Sequence, residues 1–160
     1  MTLSPGYSRA QIALHWLTAV GVLTAWFTHE AMEEIARSIW RAGGTPVPTV
    51  HTISGFLVLV MVLARLWLRR RHGAPAPEGS DTMRAAAVWG HRALYALLIA
   101  VPLAGILSWF GGIRDLGEVH GVLGNALLLV ALGHAAVALW HHYGRKDGTL
   151  MRMLRPAPRA

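Results

Sequence analysis

Nine histidines are spread along this 160-residue chain, and four of them, His15, His51, His120 and His134, fall inside long apolar stretches. A neutral imidazole is a common metal ligand, and two of them can fill both axial positions of a haem iron, leaving no open site for a substrate atom. Chemistry of that kind moves single electrons and does not bind oxygen. His120 and His134 stand fourteen positions apart. On an α-helix this interval is about 21 Å of rise and leaves the two side chains within about 40° of each other, on one face. A single helix can therefore offer an imidazole to each of two haems at different depths.

The elements that must hold these residues are uncharged runs. There are 20 residues between Arg9 and Glu30, 23 between Arg41 and Arg65, 21 between Arg92 and Arg114, and 26 between Glu118 and Arg145. Each meets the roughly 20 residues a helix needs to cross the hydrocarbon of a bilayer. With 54% hydrophobic residues, 14% charged residues and a mean hydropathy of +0.41, the balance is that of a membrane protein. The expected fold is all-α, an integral membrane protein of four spanning helices with two haems between them, one domain over residues 1–160. Its helices are predicted at about 9–28, 49–68, 82–110 and 116–143. The first run carries His15 and Trp16 and lacks a small-residue cleavage site, so it is read as a retained helix and not as a signal peptide.

Gly43, Gly44, Pro46 and Pro48 favour a turn after the first span, with a short interfacial helix at Glu33 to Trp40. Arg69 to Asp81 reads as a linker, and Pro156 and Pro158 as a frayed tail. Pro102 is expected to kink the third span, which membrane helices tolerate when neighbours satisfy the freed carbonyl. Trp26, Trp67, Trp109 and Trp140, toward the far ends of the four spans, read mostly as interfacial anchors.

A net charge of +7 could suggest nucleic acid, but its placement argues otherwise. Ten basic residues, Arg9, Arg69, Arg70, Arg71, Arg84, Arg145, Lys146, Arg152, Arg155 and Arg159, fall on one side of a four-pass topology, against three, Arg37, Arg41 and Arg114, on the other. Positive residues stay inside, so both termini are expected in the cytoplasm and the chain in contact with membrane lipid. The absence of cysteine excludes thiolate-held iron–sulfur clusters, disulfides and covalent haem attachment.

This topology sets the depth of each histidine. His15 and His134 belong to the cytoplasmic half, His51 and His120 to the outer half, so the pairs are His15 with His134 and His51 with His120. His91 competes for the cytoplasmic pair. A porphyrin is broad and flat, however, and a ligand's helix should carry a small residue one turn away. Ala19, Gly55, Gly124 and Ala138 follow the four favoured histidines at i+4, whereas Tyr95 follows His91. His91 is therefore assigned a packing, supporting or quinone-side role. Arg9, His142 and Lys146 share its expected depth and could bind a quinone carbonyl or lipid phosphate. A single membrane histidine often only hydrogen-bonds a neighbouring helix. A transition-metal transporter or a haem-free interaction subunit remains the alternative of another class, although the spans lack Asp and Glu to bind and release a divalent ion.

The stretches "YSRAQIALHWLTA", "VHTISGFLVLVMVLARLWLR", "WGHRALYALLIAVPLAGIL" and "EVHGVLGNALLLVALGHAAVALWHHYGRKDGTLMRML" resemble the bacterial branch of the cytochrome b561 family over nearly the whole chain. The resemblance implies an integral membrane four-helix bundle in a bacterial inner membrane, enclosing two non-covalent b haems with His15, His51, His120 and His134 as axial ligands. It also implies electron exchange between the quinone pool and a second partner. Some members oxidise superoxide and pass the electron to ubiquinone; others serve dehydrogenases or small periplasmic redox proteins. The outer loops carry Glu30, Glu33, Glu34, Asp115 and Glu118 against three arginines, which suits a basic carrier better than the superoxide anion. Small residues in the spans permit a homodimer without demanding one.

Overall fold

The structure is a computed structural model that describes residues 6–77 and 79–156; Pro158 and Arg159 lie outside the described residues. Five helices follow one another: α1 (Arg9–Phe27), α2 (His29–Arg41), α3 (Val50–His72), α4 (Asp81–Trp109) and α5 (Leu116–Tyr143), with a short 3-10 turn at Met151–Met153. Four of them, α1, α3, α4 and α5, are long and apolar enough to cross a membrane. Large apolar side chains stand outward, as at Phe27 (79% exposed) and Leu129 (72%). Such a surface is stable against lipid and not against water.

Local chemistry sets the helix starts. Ser8 accepts from the Gln11 backbone N–H while the Gln11 side chain accepts from that of Ser8, a reciprocal cap, and Thr49 and Thr52 repeat it at α3. Gln11 also donates to the Gly73 carbonyl at 3.1 Å, tying the start of α1 to the end of α3. Gly73 ends α3 at φ 73, a left-handed angle that favours glycine.

Two sequence expectations need correction. The second span continues through Arg69, Arg70 and Arg71 to His72, because arginine is a good helix former and cations suit a helix C-terminus. The interfacial helix begins at His29, four residues early, with Ala36 buried on its apolar face and Glu30, Glu33 and Glu34 exposed. Ahead of Pro156 the chain packs back on the bundle: Trp16 donates to the Met153 carbonyl at 2.8 Å, and Arg152 to that of Ala76 at 3.3 Å. Pro102 lies buried inside α4 without ending it.

Packing runs α1 along α3, α3 against α4, and α4 along α5. A Cβ on Gly21 would come within 2.8 Å of Val58, so α1 and α3 approach through that glycine. Val58, Val62, Leu98 and Leu127 form the buried centre. At one end, called here the α2 end, Trp109 is only 4% exposed. It donates to the Val47 carbonyl at 3.0 Å and packs against Trp40, so it is a core residue and not a membrane anchor. At the other, terminal end, the 3-10 turn, the start of α1 and the α3–α4 connection meet.

The junction after α5 depends on charge. Asp147 accepts from the Thr149 backbone N–H at 3.1 Å and meets His141 at 2.6 Å and Arg145 at 3.4 Å. Hydrogen bonds from Thr149 and then His141 hold its carboxyl well below the ordinary value of 3.8. A carboxyl depressed by folding contributes stability above that ordinary value and loses it as the pH falls toward the folded one. Acidification below 3.8 is therefore expected to loosen residues 141–153 before the spans, as read by hydrogen exchange. In Asp147→Asn that segment should already exchange fast at neutral pH.

Candidate functional site

The four histidines singled out by spacing come together in two pairs on the bundle interior. At the α2 end the His51 and His120 rings, from α3 and α5, have centroids 5.7 Å apart. At the terminal end His15 of α1 and His134 of α5 are 6.3 Å apart. With metal–imidazole bonds of about 2 Å, two rings on opposite axial positions of one metal stand roughly 6 Å apart. Both spacings fit that requirement.

The α2-end pair is fully oriented. His51 Nδ1 lies 2.9 Å from the Ala25 carbonyl of α1, and His120 Nδ1 lies 2.8 Å from the Val101 carbonyl of α4. A carbonyl can only accept, so each Nδ1 carries the proton and each Nε2 keeps its lone pair for a metal. Gly105 makes this geometry available on α4: a Cβ there would lie 2.9 Å from both Nδ1 and Cε1 of His120. Both rings border a cavity of about 680 Å³, within the usual range for a cofactor pocket. Gly55 and Gly124, one turn beyond the histidines, also line it, and a Cβ on either would meet nothing within 4 Å. This space, with two presented lone pairs, fits a flat bis-imidazole cofactor such as haem b.

Helix α2 closes the cavity from its end. Met32, Ala36 and Trp40 line it, and His29 stacks on Trp26 with centroids 5.0 Å apart. Arg114 lies over the Trp40 ring at 5.4 Å. Glu33, Arg37, Arg114 and Glu118 give the lining two charges of each sign.

The terminal-end pair differs. His15 Nδ1 is buried with no hydrogen-bond partner, an orphaned polar atom of a kind that native structures rarely leave without a ligand, ion or water. A third ring stands beside it: His91 lies 5.2 Å from His134, with its Nδ1 2.6 Å from the Ala87 carbonyl one turn back. His91 thus joins the histidine pair. Arg9 and Lys146 are exposed at the same end, and His142 packs on Tyr143. No hydrogen bond or ion pair among the described residues ties Arg9, His142 or Lys146 to His91. No group of three or more His, Asp or Glu among the described residues could hold a bare metal ion.

His141 hydrogen-bonds the Asp147 carboxylate six positions on, at the end of α5. Gly105 carried no signal in the sequence, because the ring it admits belongs to another helix.

The family profile described as prokaryotic cytochrome b561 matches residues 6–156. A cytochrome b562 of Cereibacter sphaeroides is 37% identical over 159 residues, covering 98% of this chain and 99% of its own length. A probable superoxide oxidase of Yersinia pestis is 33% identical, covering 92% and 95%. Cytochrome b561 homolog 1 of Escherichia coli K12 is 30% identical, covering 92% and 96%.

Proposed function

Because the chain belongs to the prokaryotic cytochrome b561 family, whose members are membrane electron-transfer proteins with haem b, we propose that it carries single electrons across the bacterial inner membrane through two haems. His51 and His120 hold one, His15 and His134 the other, and the electrons pass between a periplasmic partner and the quinone pool. The observation that carries this reading is the α2-end pair: two imidazoles 5.7 Å apart on a large cavity, each with its second nitrogen fixed by a carbonyl. Haem held by two imidazoles supplies a one-electron couple with no open coordination site. The carbonyls of Ala25 and Val101 fix ring orientation and strengthen the imidazoles as ligands. The basic terminal end supports cytoplasmic termini, with the α2 end toward the periplasm.

Arg9, His142 and Lys146 lie at the terminal end, where a quinone carbonyl could accept a hydrogen bond from any of them. Purified protein, reduced and mixed with ubiquinone, should show its haem bands reoxidise. A spectrum that stays reduced overturns the quinone assignment. Single substitutions of the three residues that leave the rate unchanged remove those residues from it.

Similarity to a probable superoxide oxidase supports a second reading, in which the protein is an enzyme that takes electrons from superoxide directly. Two superoxide anions each lose one electron to become oxygen, and the quinone takes both electrons with two protons. The balanced charge of the cavity lining and the exposed Glu30 and Glu34 of α2 do little to steer an anion, which favours the relay. A superoxide source with purified protein and ubiquinone separates the two. Background quinol is the result expected of a relay, and quinol formed at two superoxides per quinone establishes the enzyme.

A further inference from the structure

Arg65 is a charge inside a membrane span with no carboxylate partner among the described residues. It stands fourteen positions after His51 on α3, the interval that separates His120 from His134 on α5. By the same helical arithmetic it lies about 21 Å along α3 from His51 and within about 40° of its face. Helix α3 therefore presents an imidazole at the α2 level and a guanidinium at the terminal level, where α5 presents a second imidazole. Side-chain positions agree. The guanidinium carbon lies 5.9 Å from the centre of the Tyr95 ring, Tyr95 follows His91 by one turn of α4, and His91 lies 5.2 Å from His134.

The acids among the described residues at this end are occupied. Asp81 pairs with Arg84, and Asp147 with His141 and Arg145, so among the described residues no carboxylate pairs with Arg65. At the α2 level the lining charges cancel instead, Arg37 and Arg114 against Glu33 and Glu118. A half-buried cation with no carboxylate partner among the described residues marks a functional position, and a guanidinium matches a carboxylate such as a haem propionate in fork geometry.

We infer that Arg65 is the residue that tunes the haem held by His15 and His134, raising its reduction potential above that of the haem held by His51 and His120. This rests on the two-haem reading above. A fixed positive charge favours the iron that has gained an electron, so Fe(II) at the α2 level becomes Fe(III) as Fe(III) at the terminal level becomes Fe(II), with no proton moved. Electrons then run downhill from the α2 end to the terminal end.

Potentiometric titration of the full-length holoprotein, followed in the haem bands, tests this. His51→Ala, which keeps only the terminal-level haem, assigns the two transitions. In the unmodified protein the terminal-level haem should titrate at the higher potential. Arg65→Gln should lower that transition by about tenfold in its reduction equilibrium, roughly 59 mV for one electron, and leave the other in place. Arg65→Lys should restore most of the difference. A terminal-level haem that titrates lower in the unmodified protein overturns the inference, even if Arg65→Gln fails to hold haem. Unchanged potentials in an Arg65→Gln protein with both haems overturn it too. An unmodified protein with fewer than two haems per chain overturns the functional reading itself.

Discussion

His120→Ala is expected to leave the protein with one haem per chain in place of two, counted by its alkaline pyridine spectrum. The ring of His120 enters the α2-end cavity opposite His51, with its Nδ1 spent on the Val101 carbonyl. Truncation would remove one of the two imidazoles proposed to hold this haem and open further space in a cavity of about 680 Å³. His29 borders the same cavity, but its ring stacks on Trp26 and its Nδ1 is engaged by the Trp26 carbonyl. The haem at the terminal end should keep its low-spin spectrum, since His134 lies about two-thirds of a membrane thickness away at fourteen residues of helical rise. Loss of both haems together, or of neither, would contradict independent sites.

Gly105→Val should produce nearly the same loss without touching a ligand. The first carbon of any side chain at this position would lie 2.9 Å from Nδ1 and Cε1 of His120, closer than real contacts allow, and valine adds two branches against α5. Either the ring leaves the Val101 carbonyl or α4 moves away from α5. Overpacking of this kind costs about 1–3 kcal/mol, and the misplaced imidazole should empty the α2-end site in most molecules. Haem content and thermal midpoint measured side by side check it. Gly133→Ala is the control: its Cβ would meet nothing within 4 Å, and both quantities should stay unchanged. A Gly105→Val protein with full haem content would show that the ring has another way to reach its place.

Most of the scaffold was legible because lipid imposes a simple rule on it. Uninterrupted apolar runs long enough to span marked α1, α3, α4 and α5, and the limits of α5 match Leu116 to Tyr143. Boundaries failed where charge was read as the end of a helix. Arg69, Arg70 and Arg71 carry charge and still favour helix, so α3 runs to His72. Helix α2 was seen only in its second half, since its amphipathic face begins directly after Thr28 with no breaker between.

The site divides the same way. The fourteen-residue interval on α5 was readable from one helix's geometry, and so was the matching interval from His51 to Arg65, although charge near a helix end drew attention to topology instead. His91 was ranked below His15 by the bulk of Tyr95 one turn on, whereas the fold brings its ring beside His134 as well. Gly105, the carbonyls of Ala25 and Val101, and the burial of Trp109 against Trp40 arise between helices. No one-dimensional period reports a contact between segments whose register depends on packing.

The account stands on two iron porphyrins, one at each level of a single bundle. The most direct measurement is the number of haems per chain in detergent-purified protein, from the alkaline pyridine spectrum against protein mass. The expected value is two, both low-spin; a folded protein that binds one haem, or none when haem is supplied in excess, contradicts it.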